Sequence, residues 1–146
     1  MSVELIELWH KRARPEPTTR DFNIQLGCHL EEISEMLGVL GSEIPETRNA
    51  MHVLQLLTSR LGDQLKLGTA EVFVDDDVEF LDSLADQVVT AIGVGHCLGM
   101  QTSQAVAEVN ESNWSKFDSA GQPILNDHGK ITKGPKYRKP NLEPFV

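Results

Sequence analysis

An all-α helical bundle of about four to five helices, closed by an irregular basic tail, is the fold this sequence predicts. Apolar residues recur at helical rather than alternating spacing through most of the chain. Aromatic residues make up only 5 % of it while 40 % is apolar, so a core must be assembled from Leu, Val, Ile and Met. Prolines and glycines break the periodic segments at short intervals, which suits neighbouring helices joined by short loops. A length of 146 residues suits one domain. It is read as a helical core over about 21–116 with a tail over about 117–146.

Residues 3–13, VELIELWHKRA, read as a short amphipathic helix, and the prolines that follow as a connector. Residues 21–40 form the first strong helix, capped by Asp21 and ending near Gly38 or Gly41. Pro45 opens a helix over roughly 46–62, with Met51, Val53, Leu54, Leu57 and Leu61 as its apolar positions. Residues 62–74 read as a loop. Asp75, Asp76 and Asp77 then start a long helix to about Leu98, placing acids where the helix dipole favours them. Residues 103–116, with Ser103 as cap, make the last helix. From Phe117 the periodicity stops and glycine, proline and basic residues take over.

The formal net charge is −9, a poor balance for general binding to nucleic-acid backbones. That charge is unevenly spread. Asp21 to Ser115 holds sixteen acids against Arg48, Arg60 and Lys66, whereas Lys116 to Val146 holds six basic residues and three acids. No apolar run approaches the roughly 20 residues of a membrane span, and no signal peptide is evident, so a cytoplasmic location is expected. Cys28 and Cys97 lack CxxC spacing and stand in apolar helical surroundings. They read as buried thiols of a reducing compartment, not as a disulfide.

Two groups of acids carry the chemistry. Glu31, Glu32 and Glu35 lie in the helix over 21–40, the last two sharing a face. Glu79, Asp82 and Asp86 lie in the helix over 75–98, at spacings that keep all three on one side. A solvated face is the plain alternative for either group. Both faces, however, turn apolar along their helices, through Val89, Gly93 and Cys97 in one case and Cys28 and Val39 in the other. The acids are therefore expected to point inward. Inward carboxylates repel one another, and these helices hold too few lysines or arginines to pair them. A hard divalent cation, Mg²⁺ with Mn²⁺ substituting, is the partner that all-oxygen donors favour. A di-iron bundle would want Glu-x-x-His, and none of His29, His52 and His96 stands three residues after a Glu.

The basic tail supplies a second signal. In GKITKGPKYRKP, Lys130, Lys133 and Lys136 recur every third residue beside Gly134 and Tyr137. A solvated tail is one reading. The other is a flap that grips phosphate oxygens with ammonium groups and backbone N–H. Asn113 and Lys116 fall on one face at the end of the preceding helix, where a frayed polar turn would serve as well.

Taken together, QLGCHLEEISEML, EFLDSLADQVVTAIG, EVNESNWSKF and GKITKGPKY resemble the all-α nucleoside triphosphate pyrophosphatase superfamily. That group includes MazG, the phosphoribosyl-ATP pyrophosphohydrolases and the dimeric dUTPases. The resemblance spans about residues 21–140 and is nearest to the small single-domain MazG-like members. Glu32-x-x-Glu35 matches the group's E-x-x-E, and Glu79-x-x-Asp82 its E-x-x-D. SLADQVV places Asp86 where many relatives end their acidic phrase, with Ser83 in the position of a Glu, so the choice among Glu79, Asp82 and Asp86 as direct ligands stays open.

The resemblance implies hydrolysis of a nucleoside triphosphate to monophosphate and pyrophosphate. Metal would be held by Glu32, Glu35, Glu79, Asp82 and Asp86, with Glu31 or Glu32 orienting or deprotonating water. Nucleotide contact would come from Asn113 and Lys116, joined by Lys130, Lys133 and Tyr137 of the tail. It also implies a homodimer or homotetramer; the acidic charge and the lack of a long apolar run lead to the expectation of neither nucleic acid nor membrane as partner. A non-catalytic acidic helical interaction domain is the main alternative, and a metal-dependent phosphatase or nuclease of another fold the second.

Overall fold

The structure is a computed structural model and describes residues 3–146. Its described residues form five α-helices and no strand: α1 (Val3–Ala13), α2 (Thr19–Gly38), α3 (Pro45–Leu67), α4 (Asp77–Cys97) and α5 (Thr102–Trp114), followed by a single 3-10 turn at Glu143–Phe145. The all-α fold expected from the sequence is the one found. The chain divides into two compact units. One comprises Pro17–Val72 and Leu125–Lys130; the other comprises the segment up to Glu16, Phe73–Ile124 and Ile131–Val146.

The first unit is an antiparallel hairpin of α2 and α3. Thr18 caps α2: its hydroxyl accepts from the Asp21 N–H while the Asp21 carboxylate accepts from the Thr18 N–H, a reciprocal capping box. The cap thus lies three residues before Asp21, which is the far half of the box. Close approach of the helices is set by two glycines. A Cβ on Gly27 would stand 2.7 Å from the Gly62 carbonyl oxygen, and one on Gly62 would stand 2.9 Å from the Gly27 carbonyl oxygen. Farther along, Ser34 donates to the Gln55 carbonyl at 3.1 Å. Gly62 therefore sits inside α3, where a loop was expected from 62 onward. The helix runs on to Leu67 and ends at Gly68, in the left-handed region at φ 78°.

Two side chains of α2 then hold the end of α3. The Arg20 guanidinium donates to the Leu65 and Lys66 carbonyls, groups that a helix end leaves without partners. Asn23, 2 % exposed, exchanges hydrogen bonds with both the N–H and the C=O of Val72, at 2.8 and 3.2 Å.

The second unit has an aromatic centre. Trp9 of α1 stacks on Phe117 at 5.8 Å between centroids, and Trp114 meets Phe117 edge-on at 5.5 Å. Ala13 and Ile131 complete this cluster. α5 packs against α1 and α4. The C-terminal segment is lashed to α5: the Ser112 hydroxyl donates to the Arg138 carbonyl at 2.7 Å, and the Arg138 N–H donates to the Ser115 hydroxyl at 2.8 Å. The tail is ordered but irregular, as expected.

α4 starts later than Asp75: Asp76 is its cap, accepting from the Val78 and Glu79 N–H groups. α5 begins at Thr102 and has no side-chain cap, so Ser103 does not cap it. Apart from Gly95, α4 buries almost nothing; Val78, Leu81 and Val89 are 80 %, 67 % and 66 % exposed. Among the described residues no helix is long and apolar enough to cross a membrane.

Candidate functional site

Glu31 does not stand as a free carboxylate. Its Oε1 lies 2.9 Å from the Lys66 ammonium and its Oε2 lies 2.8 Å from that of Lys130. Lys66 also reaches Asp63, one turn away, at 3.0 Å. Local chemistry places each lysine. Lys66 is in the last turn of α3, facing α2 through the hairpin. Lys130 is delivered by a tight loop in which the Asn126 carboxamide oxygen accepts from the His128 and Lys130 N–H groups at 3.0 and 2.9 Å. Gly129, at φ 84°, makes that turn possible.

Partial burial pushes the Glu31 carboxyl up, but the hydrogen bonds and charges of Lys130 and Lys66 outweigh it and hold the group below its ordinary range. For Lys66, burial pulls downward while Glu31 and Asp63 win and raise the ammonium. A doubly paired carboxylate of lowered pKa is a weak proton acceptor. Glu31, expected to orient or deprotonate water, stands in this structure in an ion triad joining α2, α3 and the 125–130 segment. Lys130, expected to contact phosphate, has its ammonium on Glu31 in this structure.

The other candidate carboxylates differ. Glu32 and Glu35 share one side of α2 and are exposed, and Glu79, Asp82 and Asp86 are exposed along α4. The expected inward orientation is therefore overturned. The apolar positions that suggested it, Val89 and Cys97 among them, are exposed as well. Among the described residues no lysine or arginine forms an ion pair with any of these five acids. The α2 acids belong to the hairpin unit and the α4 acids to the other. Among the described residues no three His, Cys, Asp or Glu side chains gather closely enough to form a metal-binding group.

The nucleotide-contact candidates lie in the second unit, Lys130 excepted. Asn113 and Lys116 are half-buried at the end of α5, with the Lys116 ammonium 5.9 Å from the centre of the Trp9 ring. Lys133 sits 4.8 Å over the ring of Tyr137, so these two tail candidates contact each other. Arg138, not singled out from sequence, pairs with Glu108 and Glu111. Cys28 and Cys97 are both free thiols, but Cys97 is exposed and only Cys28 is half-buried, so neither is the fully buried thiol expected. Burial pushes the Cys28 thiol up, with Lys130 and Lys66 pulling against Glu31 and Glu32, so it stays protonated at neutral pH.

No family profile, no curated protein and no solved structure matches this chain.

Proposed function

We propose that the chain is a metal-dependent nucleoside triphosphate pyrophosphohydrolase of the MazG-like kind, acting as a homo-oligomer. One observation carries this reading: among the described residues, carboxylates at helical spacing on α2 and α4 are left without a cation, while Glu31 and Glu108 have theirs. Glu32 with Glu35, and Glu79 with Asp82 and Asp86, are hard-oxygen donor sets. Mg²⁺ is usually held by one or two carboxylates together with substrate phosphates, so each set is chemically suited to it. When bound, the metal would supply charge neutralisation of the triphosphate and a more acidic water. The residues' own tasks follow from their positions. Glu32, exposed and outside the ion triad, is better suited than Glu31 to orient the attacking water. Lys116 and Lys133 would bind phosphate oxygens, Asn113 would orient the nucleotide, and the Tyr137 ring would position the Lys133 ammonium.

The exposed apolar residues of α3 and α4 support assembly, since Leu54, Leu57, Leu81 and Val89 are each at least half exposed. Apolar surface of that kind marks association. The same surface also favours the second reading, an acidic helical domain that works by protein contact alone. Incubation with the common nucleoside triphosphates and Mg²⁺, followed by product analysis, decides between them. Monophosphate plus pyrophosphate is the expected result; no turnover with any of them leaves the interaction domain, and a diphosphate plus orthophosphate points to a phosphatase.

A further inference from the structure

The second unit contains a pocket of about 560 Å³ that none of the candidate metal-binding acids lines. That volume falls in the range of small-molecule sites. Its walls include Trp114 and Phe117, and its charged groups are Arg12, Lys136 and Asp118.

The fold prepares two of these features. The Trp114 ring stands edge-on to Phe117, with the two planes at 82°, and Phe117 is in turn stacked on Trp9. A tryptophan 37 % exposed is thus held in a set plane at a pocket wall. The Arg12 Nε donates to the Gly121 carbonyl at 3.1 Å, which fixes the guanidinium and leaves its Nη nitrogens as the remaining donors. The loop that presents this carbonyl is itself built. The Asp118 Oδ1 accepts from the N–H groups of Ala120 and Gln122 at 2.9 and 2.8 Å, and Gly121 closes the turn with an N–H to the Asp118 carbonyl. Among the described residues no carboxylate pairs with Arg12 or Lys136.

We infer that this pocket binds a flat aromatic ring carrying a single phosphate group, with the ring against Trp114 and the phosphate between Arg12 and Lys136. Aromatic walls favour a flat ring over an aliphatic ligand. A guanidinium held through Nε presents a fork suited to two phosphate oxygens. Two cations against one carboxylate, in a chain of net charge −9, accommodate one phosphate better than a triphosphate. The site does not depend on metal or on the proposed hydrolysis.

Calorimetric titration of the full chain in EDTA tests this with adenosine monophosphate, phenyl phosphate, adenosine and inorganic phosphate. At least one of the two aromatic phosphates is expected to bind at submillimolar concentration. Adenosine and inorganic phosphate should bind at least about tenfold more weakly, because each lacks half of the recognition. Tighter binding of adenosine monophosphate assigns the site to nucleotides. Equal or tighter binding of phenyl phosphate supports the same site and assigns it to other aromatic phosphates. Arg12→Ala and Trp114→Leu should each weaken binding by about tenfold or more. Lys136→Met, at an exposed tail position, serves if the Trp114 variant fails to fold. Glu35→Gln should leave binding unchanged, which separates this result from the fate of the pyrophosphohydrolase reading. Inorganic phosphate binding as tightly as the aromatic phosphates, no binding by either, or binding unaltered in Arg12→Ala and Lys136→Met would overturn the inference.

Discussion

Glu31 and Asp86 are both helical acids in an acidic chain, yet their surroundings are opposite. Glu31 is half-buried at a packed helix pair, with Lys66 and Lys130 each on one of its oxygens. Asp86 is exposed on a helix that buries almost nothing, and among the described residues no cation pairs with it. The difference teaches that position in an acidic cluster does not decide a role; the available counter-charge does. Where the protein supplies lysines, the carboxylate holds structure together. Where it supplies none, the negative charge remains available to an external cation.

The largest effect expected from this contrast is on the proposed catalysis. Glu35→Gln and Asp86→Asn should each reduce nucleotide turnover by about a hundredfold or more, on the order of 3 kcal/mol in transition-state stabilisation. Neither should lower the melting temperature of the metal-free chain, since each removes an exposed charge that no cation pairs. Kinetics with Mg²⁺ and circular dichroism melts without it measure the two halves. A metal-free variant that melts well below the parent would show that these acids are structural after all, and the contrast with Glu31 would collapse.

Next in size is the hairpin that positions Glu31. Gly27→Ala places a Cβ 2.7 Å from a backbone carbonyl that cannot swing aside. Overpacking of this kind costs about 1–3 kcal/mol. Chemical denaturation should show that loss, and the Glu31–Lys66 pair should loosen with it. An unchanged midpoint would mean that α2 and α3 separate without cost.

This crossing also shows what the sequence could and could not disclose. Local periodicity is enough to find five helices and to place α1 at residues 3–13. Gly62 resembles a helix end because a glycine breaks local propensity. Its actual role is to admit Gly27 across the helix pair, which only tertiary packing reveals. The Thr18–Asp21 capping box is legible as a local T-x-x-D signal, and taking Asp21 alone as the cap misses its first half. The ion triad is not legible, because Lys130 is 99 residues from Glu31 and is aimed by a loop of its own. On α4 the apolar stripe suggests an interior face. Such a stripe records a demand for cover, and Leu81 and Val89 remain exposed. The aromatic pocket leaves no local signature because Arg12, Trp114 and Lys136 come from three separate segments.

The two tail lysines carry the comparison from acids to bases. Lys130 is engaged by Glu31, whereas Lys133 rests over Tyr137. Under the proposed function, Lys133→Ala should raise the KM for the nucleoside triphosphate about tenfold, near 1.4 kcal/mol, while leaving the melting temperature unchanged. Lys130→Ala should do the reverse, lowering thermal stability with a smaller effect on KM. Steady-state kinetics paired with melts read both. If the two substitutions prove interchangeable, ion pairing does not divide the tail into structural and substrate-facing residues.

The smallest effect concerns pH, and it isolates the triad alone. Glu31 has a pKa held below its ordinary value of 4.5, so its contribution is complete above that value and is lost as pH falls through the folded pKa. Lys66 is raised above 10.5, so its contribution is complete below that value and is lost only as pH rises through the folded pKa. Between these limits the triad is fully charged and its stabilisation is flat. The Glu31 side chain is 35 % exposed, so water and salt screen the pairs, and the worth of the carboxylate is discounted to roughly 1 kcal/mol. Glu31→Gln keeps the shape and removes the charge, while Lys66 retains Asp63. At pH 7 the variant should melt about 2–4 °C lower than the parent, the shift expected for such a loss in a chain of this size. As pH falls below 4.5 the parent's own Glu31 takes up its proton, and the two melting curves should converge. Added salt should shrink the neutral-pH gap in the same direction. A gap that stays undiminished however far the pH is lowered while the parent remains folded would show that the substituted carboxamide disturbs packing instead of charge. No gap at pH 7 would show that the lysines find other partners, and that the paired and unpaired acids are energetically alike.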